Sequence, residues 1–169
     1  MQINKIELKN ISHYERGSEE TPCYNATVYV NGKKAIEVGN DGHGGMDRQD
    51  AWHEKGFDLK EINDWCIKTF GQKSFTYQSD GKEEVCTYDF DLEQFCHDEL
   101  YKWLDSKLLK KDMNKKYLFV ENKELFAYPR KNKDQDVSFK TFFYEKHPSA
   151  KCLNFMSFDD ALTLYKESA

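Results

Sequence analysis

Arginine is scarce in this chain, since only Arg16, Arg48 and Arg130 occur among its 25 basic residues. Arginine is the side chain best suited to form bidentate hydrogen bonds to phosphates and to the edges of bases. The formal net charge of -5 adds no general attraction for a polyanion. Lysines do cluster between residues 107 and 116, and again from 130 to 133, but acidic residues stand beside them, which is typical of a solvated surface. The composition therefore argues against a nucleic-acid-binding protein.

Paired cysteine motifs and long apolar runs are also missing. The five cysteines include no CxxC pair, and no apolar run approaches the ~18 residues of a membrane span. The first residues carry no apolar segment of the kind found in signal peptides. We expect a cytoplasmic protein with reduced thiols, no membrane association and no cofactor.

Aromatic residues, by contrast, are abundant. They make up 15% of a chain of 169 residues whose mean hydropathy is -0.88. A chain of this length can bury a core without disulfides, and aromatic rings bury a large area each. We therefore predict one α+β domain over residues 1–169, with an N-terminal antiparallel β-meander, three to four helices and a second short hairpin.

Strand patterns dominate the first forty residues. Residues 3–11 alternate imperfectly in the manner of an opening strand, residues 23–30 are rich in β-branched and aromatic side chains, and residues 33–38 complete a hairpin with 23–30. Asn31-Gly32 joins the last two segments and is typical of a type I′ hairpin turn. The pattern predicts a three-stranded meander, followed by an irregular segment over residues 39–57.

Helical spacing and further hairpins fill the rest of the chain. Apolar residues three to four apart predict helices over residues 59–70, 92–111 and 158–167, with caps at Asp58, Asp91 and Ser157. Residues 74–77 with 85–88, and 117–120 with 125–128, predict two short hairpins. Residues 137–146 fit a strand or a helix, and the spacing of their phenylalanines favours a helix. Residues 152–156 predict a short buried strand.

The segment after the meander holds the candidate binding site, which comprises Asn40, Asp41, Gly42, His43, Gly44 and Gly45. Three glycines in four positions permit positive φ and a close approach of the backbone to a ligand. Bare backbone N–H groups could cradle a phosphate there, although no Walker or dinucleotide motif is present. We add Trp52, the aromatic residue of the irregular segment, to the predicted ligand-binding residues.

Two kinds of chemistry remain open at this loop. Asp41, His43, Asp47, Asp50 and His53 offer carboxylates and imidazoles that suit a metal ion, but their spacing is not that of an HExxH motif or an EF-hand loop, and exposed acidic loop residues are the favoured explanation. We therefore predict no metal. His43 beside Asp41 could transfer protons near neutral pH. The alternative function is thus a small metal-assisted hydrolase or nucleotide-processing enzyme that uses Asp41, His43 and Asp47.

The glycine loop and the segment Leu153-Asn154-Phe155-Met156-Ser157-Phe158-Asp159-Asp160-Ala161-Leu162 resemble small uncharacterised proteins of bacteriophages and prophages. The resemblance implies an accessory protein in the cytoplasm of a bacterial host and supplies no catalytic residues. The core-facing patterns of the helices and strands do not account for all of the aromatic residues Tyr14, Trp52, Tyr77, Tyr88 and Tyr101. Aromatic side chains left on the surface favour contacts with other proteins. We expect a binding protein, rather than an enzyme, that inhibits a host factor or sequesters a small nucleotide-like ligand. A homo-oligomeric structural or regulatory protein is a third hypothesis.

Overall fold

A computed structural model describes residues 2–52, 56–131 and 133–168. It confirms the predicted α+β class. The chain divides into two compact units, residues 1–100 and residues 101–169. No helix of the described residues is long and apolar enough to cross a membrane.

The first unit opens with an antiparallel sheet of four strands in sequence order. They are β1 (Ile6–His13), β2 (Tyr24–Val30), β3 (Lys33–Asn40) and β4 (Arg48–Ala51). The predicted meander is confirmed, and so is its turn, because Asn31 and Gly32 have φ of 50° and 79°. Asn31 Oδ1 also accepts the backbone N–H groups of Asn4 and Lys5, at 2.9 and 3.2 Å.

Strand β4 corrects the prediction that residues 39–57 are wholly irregular. Its register places Gln49 opposite Val38 and Arg48 opposite Gly39. Its four residues alternate between exposed and half-buried without a buried apolar side chain. The strand therefore forms by adding hydrogen bonds to the edge of β3, and its sequence lacks the apolar alternation that predicts strands.

A helix, a hairpin and the first part of a second helix complete the first unit. Helix α1 (Leu59–Phe70) begins at Asp58, whose carboxylate accepts the Lys60 N–H at 2.8 Å, and ends at Gly71 with φ of 73°. The predicted hairpin is formed by β5 (Gln72–Ser79) and β6 (Lys82–Asp89). Helix α2 (Leu92–Lys115) follows, and Asn63 Oδ1 of α1 accepts its first N–H at 3.0 Å.

The second unit contains a three-stranded sheet and two further helices. Strands β7 (Lys116–Glu121) and β8 (Glu124–Pro129) form the predicted hairpin, and β9 (Lys151–Cys152) pairs with the other edge of β7. Helix α3 (Asp136–Lys146) confirms the helical choice for this segment, with Phe143 fully buried. Helix α4 (Phe158–Ser168) begins after Ser157, whose Oγ accepts the Asp160 N–H at 3.2 Å.

The predicted strand over residues 152–156 is wrong beyond its first residue, because a short 3₁₀ turn (Leu153–Phe155) follows β9. The side chain of Asn154 explains the change. Its Oδ1 accepts the Leu118 N–H at 2.8 Å, and its Nδ2 donates to the carbonyls of Met113 and Lys116, both at 3.0 Å. One amide side chain thus bonds main-chain groups of β7 and of the end of α2, in place of further pairing between β9 and β7.

Candidate functional site

The glycine loop is anchored to the polar segment between β1 and β2 through one carbonyl. The Gly42 oxygen accepts the backbone N–H groups of Glu19, Glu20 and Thr21, at 3.0, 2.9 and 3.3 Å. Gly42 is buried and has φ of +93°, a conformation that side chains rarely adopt. The loop is therefore a fixed part of the first unit.

Asn40 holds the two ends of the loop together from a buried position. Its Oδ1 accepts the Thr21 hydroxyl at 2.6 Å and the Gly42 N–H at 2.9 Å. Its Nδ2 donates to the Gly45 carbonyl at 3.2 Å and to Asp47 Oδ1 at 3.1 Å. Both functional groups of the side chain are thus used in bracing the loop.

Three N–H groups of the loop already donate to side chains. Gly42 N donates to Asn40 Oδ1, His43 N to Asp41 Oδ1 at 3.3 Å, and Gly44 N to Thr21 Oγ1 at 3.2 Å. A phosphate would have to compete with these partners for the same donors. The phosphate cradle of bare N–H groups therefore stays a prediction.

A cleft of about 510 Å³ lies against the glycine loop. Its lining includes three of the seven predicted ligand-binding residues, namely Asn40, Asp41 and Gly44. Residues of β2, β3 and β4, and two residues that flank a strand or the loop, complete the lining: Asn25, Gly39, Arg48, Cys23 and Met46. This volume falls within the range of small-molecule sites.

His43 lies on the outside of the loop, with 61% of its side chain exposed. Its Nδ1 is 3.2 Å from Glu19 Oε2. The Asp41 carboxylate, meanwhile, accepts the backbone N–H of His43. The structure thus pairs the His43 imidazole with Glu19, and the predicted proton transfer between His43 and Asp41 gains no contact in its support.

Replacing His43 with alanine should leave the free energy of unfolding within about 0.5 kcal/mol of the wild-type value, because an exposed side chain with one exposed polar contact contributes little. Thermal unfolding of His43→Ala measures this change. A loss of 2 kcal/mol or more would show that this side chain is needed for folding, contrary to its exposed position.

Asp47 follows the loop, and its side chain is buried, with only 1% of its surface exposed. Its carboxylate accepts the Tyr24 hydroxyl, the Asn40 amide and His97 Nε2, the last at 3.3 Å. Burial alone would raise the pKa of Asp47, but the hydrogen bonds from His97, Tyr24 and Asn40 together hold it below its ordinary value. Asp47 is therefore an ionised carboxylate in a closely bonded site.

His97 is the histidine that the structure joins to Asp47. The hydrogen bond that His97 donates to the Asp47 carboxylate raises the pKa of His97 above its ordinary value, against the opposing effect of burial. The neighbouring Cys96 is fully buried, and this burial raises the pKa of its thiol. Cys96 and Cys66 are thus buried small hydrophobes with raised thiol pKa, and neither is an activated nucleophile.

Glu93 completes a cluster with Asp47 and His97. Its Oε1 accepts the Asp47 backbone N–H at 3.0 Å. The three side chains each offer a ligand atom, and these atoms lie within 4.8 Å of one another. Sequence reasoning missed this cluster. The spacing of Glu93 and His97 by four residues in a predicted helix was the available signal, but only the fold brings Asp47 to them.

The residues considered for a metal ion or for a hydrolase have separate partners in the part of the chain that the structure describes. His43 contacts Glu19, Asp47 contacts His97, and Asp50 Oδ2 is 2.8 Å from Arg48 Nε. His53 lies outside the described residues. The alternative enzyme built on Asp41, His43 and Asp47 thus stays a prediction, without a shared contact among its three side chains.

The remaining aromatic residues are partly accessible. Tyr14, Tyr77 and Tyr101 are exposed, whereas Trp52 and Tyr88 are half-buried. The backbone N–H of Trp52 donates to the Ala35 carbonyl at 2.9 Å.

Comparisons with protein-family models, with curated proteins and with solved structures found no match.

Proposed function

We propose that this chain is a phage-encoded accessory protein that sequesters a small nucleotide-like ligand in the cleft beside the glycine loop. The observation that carries the proposal is the cleft itself, which is lined by three of the predicted ligand-binding residues. The phage setting rests on the resemblance of the loop and the C-terminal segment. Inhibition of a host factor was the other predicted role, and a concave site of this size favours the small ligand.

The lining offers the three kinds of contact that a nucleotide needs. Arg48 lines the cleft with a guanidinium that is 60% exposed and suits a phosphate. Asp41 is an exposed carboxylate that can accept ribose hydroxyls. Met46 is 82% exposed and offers an apolar, polarisable surface to a base.

The wall of the cleft is held in place before any ligand arrives. Asn40 and Thr21 bond to the loop backbone on both sides of His43. The main-chain hydrogen bonds from residues 19–21 to the Gly42 carbonyl hold the same loop in place. A preformed wall lowers the conformational entropy lost on binding, so a modest set of contacts can give useful affinity.

Thermal unfolding with a panel of mononucleotides, dinucleotides and cyclic nucleotides tests the proposal. A ligand at a hundredfold excess over its Kd should stabilise the protein by about 2.7 kcal/mol. Arg48→Gln should abolish the stabilisation by phosphate-bearing ligands. Arg16→Gln is the matched control, because it removes the same charge from an exposed turn outside the lining.

Stabilisation that survives in Arg48→Gln, or that disappears equally in both variants, would contradict the assignment of this cleft. If no nucleotide of the panel raises the melting temperature, the ligand-sequestering function is refuted. Capture of a host protein under those conditions would favour the inhibitory role instead.

A further inference from the structure

Helix α2 presents two potential metal ligands on one face. Glu93 and His97 are four residues apart in the helix, so their side chains lie one turn above the other. Asp47 reaches the same place from the segment between the glycine loop and β4, and its backbone N–H is bonded to Glu93. One carboxylate from a loop thus meets a carboxylate and an imidazole from a helix.

The separations of the ligand atoms suit a single ion. Ligands bound at about 2.1 Å to one metal stand about 3.0–4.2 Å apart in tetrahedral or octahedral geometry. His97 Nε2 and Asp47 Oδ2 are 3.3 Å apart, and all three ligand atoms lie within 4.8 Å of one another. Glu93 and His97 are only half-buried, so small rotations of their side chains are enough to bring the three ligand atoms to the separations that one ion requires.

We propose that Asp47, Glu93 and His97 bind one divalent transition-metal ion. Two carboxylates and an imidazole are ligands that suit Mn²⁺, Fe²⁺ or Zn²⁺, and none of the three is a thiolate. Three protein ligands leave at least one coordination position for water. The His97 side chain is 29% exposed, so solvent reaches the cluster from the helix side.

The surroundings of Asp47 hold its carboxylate ready for an ion. The Tyr24 hydroxyl donates to Oδ2, and the Asn40 amide donates to Oδ1. Such outer contacts fix the orientation of a ligating carboxylate. Because Asn40 also bonds to Gly42 and Gly45, the proposed metal site and the glycine loop share one positioning residue.

Isothermal titration with Mn²⁺, in the absence of nucleotide, tests this site independently of the proposed function. Mn²⁺ is the chosen probe because oxygen and imidazole ligands suit it, whereas the five free cysteines do not. We expect one saturable site per chain. Glu93→Gln and His97→Gln should each weaken binding at least about tenfold. His13→Gln is the matched control and should bind as the wild type does, because His13 contacts Ser18 and none of the three ligands.

Glu93→Gln keeps a side-chain oxygen that can accept the Asp47 N–H. This variant should therefore remain folded, and its Mn²⁺ affinity should be measurable, even if His97→Gln does not fold. The proposal is overturned if the wild-type protein shows no saturable Mn²⁺ binding, or if Glu93→Gln binds as tightly as the wild type. Loss of binding in His43→Gln but not in His97→Gln would place the ion at the glycine loop and would also overturn it.

Discussion

Gly42→Ala is expected to destabilise the protein by about 3–4 kcal/mol, the largest loss at any glycine of the loop. A Cβ atom at this position would lie 1.8 Å from the Gly17 carbonyl oxygen and 2.9 Å from its carbon. Both neighbours are backbone atoms, so neither can move aside as a side chain would. The residue also has φ of +93°, which adds strain of its own. Equilibrium unfolding in urea measures the loss.

The other two glycines of the loop serve as graded controls. Gly45 has φ of +85° but no heavy atom near the added Cβ, so Gly45→Ala should cost about 1–2 kcal/mol from backbone strain alone. At Gly44 the nearest atom is Glu20 Oε2, the end of a flexible side chain that can rotate away. Gly44→Ala should therefore fall near Gly45→Ala. Equal losses at all three positions would contradict the close approach of Gly42 to Gly17.

Asn40→Ala should produce the second large effect, a loss of about 2–4 kcal/mol. The substitution removes the donor to Asp47 Oδ1 and, at once, the acceptor of both the Gly42 N–H and the Thr21 hydroxyl. Unsatisfied groups of this kind keep their full desolvation cost. Urea unfolding gives the change in stability, and the nucleotide panel on the same sample shows whether the cleft still binds.

Asn4→Ala is the control for this substitution, because Asn4 is exposed and only its backbone N–H is bonded, to Asn31. Its stability should stay within about 0.5 kcal/mol of wild type. A similarly small loss in Asn40→Ala would mean that Asn40 does not brace the loop.

Much of the fold follows from local sequence. The turn at Asn31-Gly32, the cap at Asp58 and the phenylalanine spacing of α3 each specify their element through neighbouring residues. The two errors have a shared cause. Strand β4 exists because β3 offers an edge, and β9 is cut short because Asn154 satisfies carbonyls about forty residues away. Neither contact is visible in a local pattern.

The candidate site was predictable only in part. Three glycines close together indicate an unusual backbone, and the structure gives Gly42, Gly44 and Gly45 positive φ. Burial of Asn40, in contrast, depends on where Thr21 and Asp47 lie in the fold. The pairing of Asp47 with His97 joins residues fifty positions apart, so no local pattern in the sequence indicates it.

Nitrogen-15 NMR spectra of the labelled protein, titrated with the nucleotide that most raises its melting temperature, test the central claim most directly. The account predicts amide shifts concentrated at the cleft, with Asp41, Gly44 and Arg48 among the largest and Arg16 unchanged. Shifts confined to residues 101–169, or a spectrum that no nucleotide of the panel changes, would contradict it.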